Sequence, residues 1–200
     1  MVACPVDPAE LVDDADQRIF LHGHRFADYE ILLALRGDCA GPRLFFLDGE
    51  IELMSPSSSH ESVKKTIARL VEAFADERGL ELNGFGSWTL KDGPLERGAE
   101  PDECYVVGAT TRDRPDLVIE VVWTRGGLDK QAIYAGLGVP ELWIWKRPNH
   151  LSVHRLAGEA YVEVADSVAL PGLDLVELCR HVLGPSQSQA VRAYRAALRA

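Results

Sequence analysis

The chain has 200 residues, 46% of them hydrophobic, and carries 31 acidic against 21 basic side chains for a formal net charge of −10. That length and apolar content suit one domain with a sizeable core. The acidic balance excludes a general nucleic-acid-coating protein, which would neutralise phosphates with Lys and Arg, but not an enzyme whose carboxylates hold divalent ions.

Residues 1–24 are weakly patterned and read as an N-terminal extension, with acidic residues including Asp14 and Asp16 ahead of Arg18-Ile-Phe-Leu-His-Gly-His24. The segment lacks the basic-then-apolar pattern of a leader, and nothing in the chain nears about eighteen uninterrupted apolar residues, so a cytoplasmic location with no membrane partner is expected. His22 and His24 share a face if this is a strand, as a metal would need, but with no third ligand in view an exposed pair is the plainer reading. Cys4, Cys39, Cys104 and Cys179 are too scattered for a zinc site and read as buried free thiols.

Ala27 to Leu35 reads as a short helix with Tyr29, Leu32 and Leu33 on one side, stopped at Gly37. Arg43–Leu47 and Glu50–Met54 flank Asp48-Gly49, a two-residue hairpin signal whose central positions need positive φ. In the second strand Glu50 and Glu52 point to the same side. Either they form a solvated face, or one of them turns toward a metal.

Ser58 and Glu61 fit a capping box, and Val63, Ile67, Leu70, Val71 and Phe74 form an apolar helical stripe that ends at Gly79. His60 falls in the first turn. Lys64, Lys65 and Arg69 are the densest basic patch of this half, a candidate phosphate contact or an ordinary solvated helix face. Leu80 to Lys91 suggests a bent or edge strand, 92–99 a connecting loop, and Glu100–Gly108 a further strand with Asp102 at its entry.

From Leu117 to Trp123 the β-branched and aromatic content reads as a strand buried on both faces, yet Glu120 sits in its middle. A lone buried carboxylate costs several kcal/mol or more, so Glu120 needs a compensating metal or cation. Lys130 is the nearest in sequence, three residues after Gly127 in the first turn of a helix that ends at Gly136 or Gly138. Arg125, in the loop between, is a further candidate nucleic-acid contact. Leu142–Lys146, Leu151–Leu156 and Tyr161–Val164 read as an antiparallel meander, followed by a short helix at 175–183 and a final amphipathic helix in 185–200.

Asp102, Glu120 and Lys130 together would give hard oxygen ligands for Mg²⁺ or Mn²⁺ and an ammonium to stabilise phosphoryl charge, a pattern for metal-assisted phosphodiester hydrolysis. Asp116 is a rival acid, but four residues along one strand put it roughly 13 Å from Glu120, too far to share an ion.

Glu100-Pro-Asp-Glu-Cys-Tyr-Val-Val-Gly108, Pro115–Thr124, Gly127-Leu-Asp-Lys130, Tyr134 and Gly138–Trp145, with Asp48–Pro56 and His60, resemble the Uma2 (DUF820) family of the restriction-endonuclease-like fold with PD-(D/E)xK sites. The resemblance implies an α/β (α+β) domain over 25–184, with a mixed central sheet flanked by helices and an added antiparallel meander. It implies Asp102 as the aspartate of the PD element and Glu120 as the acid of the ExK element. Val122 stands where that element's lysine would be, so Lys130 would supply the charge from the following helix, and Glu50 would match a supporting hairpin acid. The function expected is Mg²⁺-dependent cleavage of nucleic acid, DNA first, by a homodimer. The alternative is an inactive nucleic-acid-binding or regulatory homodimeric module of the same fold. An exposed Trp143 or Trp145 face would be the sign of a protein-interaction role.

Overall fold

The computed structural model describes residues 14–86, 88–108 and 112–200. Its layers run from one helix, through a small sheet, to a large sheet backed by three helices.

The small sheet has the order β1-β3-β2-β6-β5. β2 (Arg43–Leu47) and β3 (Glu50–Ser55) form the expected hairpin, with Leu47 opposite Glu50. Its turn holds Asp48 at φ 47° and Gly49 at φ 88°, the left-handed pair that a tight two-residue connection requires. β1 (Gln17–His22), from the segment ahead of residue 25, pairs antiparallel with β3 along its whole length. Residues 90–99 are a second hairpin, β5 (Leu90–Asp92) and β6 (Arg97–Ala99), although 92–99 was expected to be a connecting loop.

Alternation along β2 and β3 buries both faces of this sheet. Leu44, Phe46 and Ile51 pack with Tyr29 of α1 (Phe26–Arg36), while Phe45 and Met54 face the large sheet. Gly98 of β6 lets Tyr29 close down, since a Cβ there would stand 2.5 Å from the Tyr29 ring.

The large sheet has the order β11-β10-β9-β8-β7-β4, from β4 (Leu82–Phe85), β7 (Glu103–Val107), β8 (Leu117–Val122), β9 (Glu141–Lys146), β10 (His150–Ala157) and β11 (Ala160–Val164). It is mixed: β8 and β9 run parallel and the other pairs antiparallel, so the meander β9–β11 is continuous with the central sheet. The stretch 80–91 therefore splits, β4 joining the large sheet and β5 the small one.

Ile119, Val121, Trp143 and Trp145 of the large sheet face α2 (Ser58–Arg78), α4 (Leu175–Val182) and α5 (Gln187–Leu198), in a core that includes Ile67, Leu70, Phe74, Leu178 and Tyr194. Trp143 and Trp145 are fully buried, so neither offers the exposed face that would mark an interaction surface. α2 begins one residue earlier than a Ser58 cap would set it: the Ser57 side chain accepts from His60 N, and Gly79 closes the helix in the left-handed conformation. Arg195 of α5 and Arg199, which caps its C-terminus, both reach Glu77 of α2.

Val118, Leu142 and Ile144 face the opposite way, against α3 (Lys130–Gly136) and the small sheet. Glu120 belongs to that side by alternation, which puts a carboxylate between two apolar layers. Cys104 and Cys179 are buried free thiols, whereas Cys39 is exposed, contrary to expectation; Cys4 lies outside the described residues. Among the described residues no helix is long and apolar enough to cross a membrane.

Candidate active site

Asp102 stands just ahead of β7, and Glu103 pairs with Ile119, so one further step of that antiparallel register brings Asp102 opposite Glu120. Both are buried, at 0% and 3% exposure. One carboxylate oxygen of Asp102 accepts from Val121 N at 2.7 Å. The other meets His60 Nε2 at 2.9 Å and the Arg43 guanidinium.

His60 is fully buried and bridges two acids, its Nδ1 lying 3.2 Å from the Asp16 carboxylate. Burial pushes Asp16 up, but His60, Ser57 N–H and Arg18 outweigh it and hold the carboxyl below its ordinary value. The segment before β1 thus braces Asp102 through one imidazole.

Glu120 is gripped by the Tyr134 hydroxyl from α3. Burial first, and then the Glu120 charge, push the Tyr134 phenol far above its usual range, so it stays a donor. Asp129 caps α3 by accepting from Gln131 N and Ala132 N, which places Lys130 at the first helical position and Tyr134 one turn on. Both therefore look at the same sheet face.

Lys130 points its Nζ over the Phe45 ring and stands 4.0 Å from Glu52. Its stem is 11% exposed, while Nζ is buried without a hydrogen bond among the described residues. Burial lowers this amine to about 7, against the opposing pull of Glu120 and Glu52 and with the help of Arg18 and Arg43. The amine is thus poised to gain or lose a proton near neutrality.

Glu52 is the buried acid of the hairpin. It is fully enclosed, accepts from Leu128 N at 2.8 Å and pairs with Arg18. Glu50, two residues earlier, is half-exposed at the hairpin end and lies 3.0 Å from His22 Nδ1, outside the cluster. The structure brings Glu52 to the cluster and leaves Glu50 outside it, because Glu52 lies mid-strand beneath the 126–128 loop and Glu50 at the open turn. His22 and His24 are surface histidines paired with Glu50 and Asp28. Asp116 accepts from Val107 N and pairs with Arg112, apart from the cluster.

A cavity of about 770 Å³ opens onto this side of the sheet. Glu120 and Lys130 line it, with Arg18, Arg125, Lys146 and Arg147 supplying cations. Arg125 is thus placed at the cavity. Lys64 and Lys65 are not: Lys64 pairs with Glu61 on α2, and neither residue lines the cavity.

Tyr134 lies four residues after Lys130, a spacing that could have flagged it. Asp16, Arg18 and Arg43 carried no such signal, since the contacts that tie them to the cluster, Asp16 to His60, Arg18 to Glu52 and Arg43 to Asp102, span 44, 34 and 59 positions.

The oxygen donors at Asp102 and Glu120 suit a hard divalent cation, and Glu120 already faces the cavity. Among the described residues no three acidic, imidazole or thiol side chains converge as a metal cluster. An ion shared by both acids would require Asp102 to exchange Arg43 for it.

A mixed sheet with two opposed buried acids, one of them at the cavity beside a helix-borne lysine, defines the class as a mixed α/β domain. The profile of the Uma2 family, described as "Putative restriction endonuclease", matches residues 26–186, and the chain belongs to this family. A solved structure from Anabaena variabilis ATCC 29413, titled a "putative nuclease belonging to DUF820", is similar over 72% of this chain and 92% of that one, at 12% identity and a TM-score of 0.49. No curated protein matches the chain.

Proposed function

We propose that the protein is a Mg²⁺- or Mn²⁺-dependent endonuclease that hydrolyses phosphodiester bonds, with DNA as its substrate. The observation that carries this reading is the convergence of Glu120 and Lys130 on one cavity wall, with Asp102 opposite Glu120 across the β7–β8 pair.

Asp102 and Glu120 would hold the ion, which when bound supplies Lewis-acid stabilisation and lowers the pKa of a bound water. Tyr134 fixes the Glu120 carboxylate, and His60 with Val121 N–H fixes that of Asp102. Lys130, with its amine near 7, can accept a proton from an attacking water in its neutral form or stabilise phosphoryl charge as the ammonium. Glu52 stands 4.0 Å from that amine and is the positioning acid of the set.

One observation favours the inactive-module reading: Asp102 is already engaged by Arg43 and His60 without a metal. The two readings part in an activity screen on single-stranded, duplex and branched DNA and on RNA with Mg²⁺ or Mn²⁺, run beside Glu120→Ala. Cleavage lost in Glu120→Ala supports the endonuclease. Equal cleavage by both proteins, or none by either, refutes it.

A further inference from the structure

The two reacting side chains of the cavity are recessed. Glu120 is 3% exposed and Lys130 Nζ is buried, so a phosphate must be carried into the protein to meet them. The space that receives it is about 770 Å³, which as a cube would be about 9 Å on edge. The major groove of a duplex alone is about 12 Å wide, and the duplex is wider than its groove. Over a short span a duplex is also a stiff rod that does not fold into a recess. A single strand can splay one phosphate inward.

A second feature, at the rim of the cavity, concerns bases: Trp123 lines the cavity there, while Trp145 behind it faces the helices. Trp145 and Trp123 stack at 6.0 Å with their planes 6° apart, and the Arg147 guanidinium lies 4.7 Å from the Trp123 centroid. Trp123 is only 4% exposed, so it backs the guanidinium more than it meets solvent. Arg147 lines the cavity with this support behind it. Unpaired bases stack on aromatic rings and guanidinium planes, and a paired base offers no free face for that. Arg125 and Lys146 flank this position as further cations. The net charge of −10 disfavours wrapping a long polyanion, while leaving a local basic recess free to act.

We propose that the cavity selects unpaired nucleic-acid strand over duplex, with one base stacked on the Arg147 guanidinium and the adjoining phosphate carried inward to Glu120 and Lys130. The assignment of that phosphate rests on the endonuclease reading; the selectivity of binding does not.

The test separates binding from cleavage. Fluorescence anisotropy in EDTA compares fluorescein-labelled oligodeoxyuridylate, oligouridylate and a blunt duplex of two separate strands on the full chain. Both single strands are expected to bind roughly tenfold tighter than the duplex. Arg147→Ala is expected to lose about tenfold for the single strands with little change for the duplex, and Arg147→Lys to recover only a small part of that loss despite keeping the charge. Thermal melts of each variant show that it is folded, and if Arg147→Ala is not, Arg147→Lys carries the comparison. Duplex binding as tight as single-strand binding, no saturable binding of any probe, or a wild-type affinity in Arg147→Lys overturns the proposal. A preference between the deoxyuridylate and uridylate strands, which differ only in the 2′-hydroxyl, tells DNA from RNA. Selective binding without cleavage in Mg²⁺ would sink the endonuclease reading and leave this one standing.

Discussion

Lys130→Met isolates the most unusual group of the site. The ammonium of Lys130 lies over Phe45 with no hydrogen bond among the described residues, and its amine falls from 10.5 to about 7. Glu120 and Glu52 pull the other way and are outweighed, so burial of the charge costs more than both attractions return. At about 1.36 kcal/mol per unit, the lowered value corresponds to a penalty on the order of 5 kcal/mol at most. The folded protein releases this proton more readily than the unfolded chain, which therefore binds more protons between about pH 7 and pH 10.5. Stability from this group rises with pH across that window and is lowest below it. Methionine is close to neutral lysine in shape and carries no charge to bury. Metal-free Lys130→Met is thus expected to resist urea at least as well as wild type near pH 7, by up to a few kcal/mol, with the gap narrowing toward about pH 9. The assay is urea unfolding followed by tryptophan fluorescence at several pH values, with the difference between the two proteins cancelling groups that titrate in both. A variant clearly less stable than wild type near pH 7 would refute the argument and show a net-favourable ion pair. Cleavage by the variant is expected to be lost in either case.

His60→Ala removes the bridge between two buried carboxylates and is expected to cost about 3 kcal/mol of unfolding free energy, read by denaturant melts; a loss under about 1 kcal/mol would mean that Arg43 and the backbone donors suffice alone. Gly98→Ala drives a Cβ against the closed Tyr29 ring, so a loss of about 1–3 kcal/mol is expected by thermal melts, and an unchanged melting temperature would show that α1 can lift off the sheet freely.

Local chemistry made much of this fold legible. Asp48-Gly49 set the first hairpin, the Gly79 stop set the end of α2, and the apolar run around Glu120 placed β8 in a doubly covered sheet. The assignment of stretches to sheets was not legible, because residues 82–85 and 90–92 part only through their partners, β7 for the first and the adjacent β6 for the second. The same limit divided Glu50 from Glu52. Strand alternation puts both on one side, but only the descent of the 126–128 loop onto that side buries one and leaves the other at the rim. Lys130 was legible as a cation near Glu120. That it lacks a hydrogen bond, and that Arg18 and Arg43 share its neighbourhood, follows from tertiary contacts that no short-range spacing encodes.

The pairing of β1 with β3 sets a boundary that homology does not. The family match starts at residue 26, yet Asp16 and Arg18 lie before it and hold His60 and Glu52. A chain begun at residue 26 would keep every matched position and lose the outer strand of the small sheet. It would leave a buried imidazole and a buried carboxylate short of partners, and expose the unpaired edge of β3 to other chains. The unit that evolution repeats and the unit that folds are offset here by one strand, so trimming to the former invites aggregation of the latter.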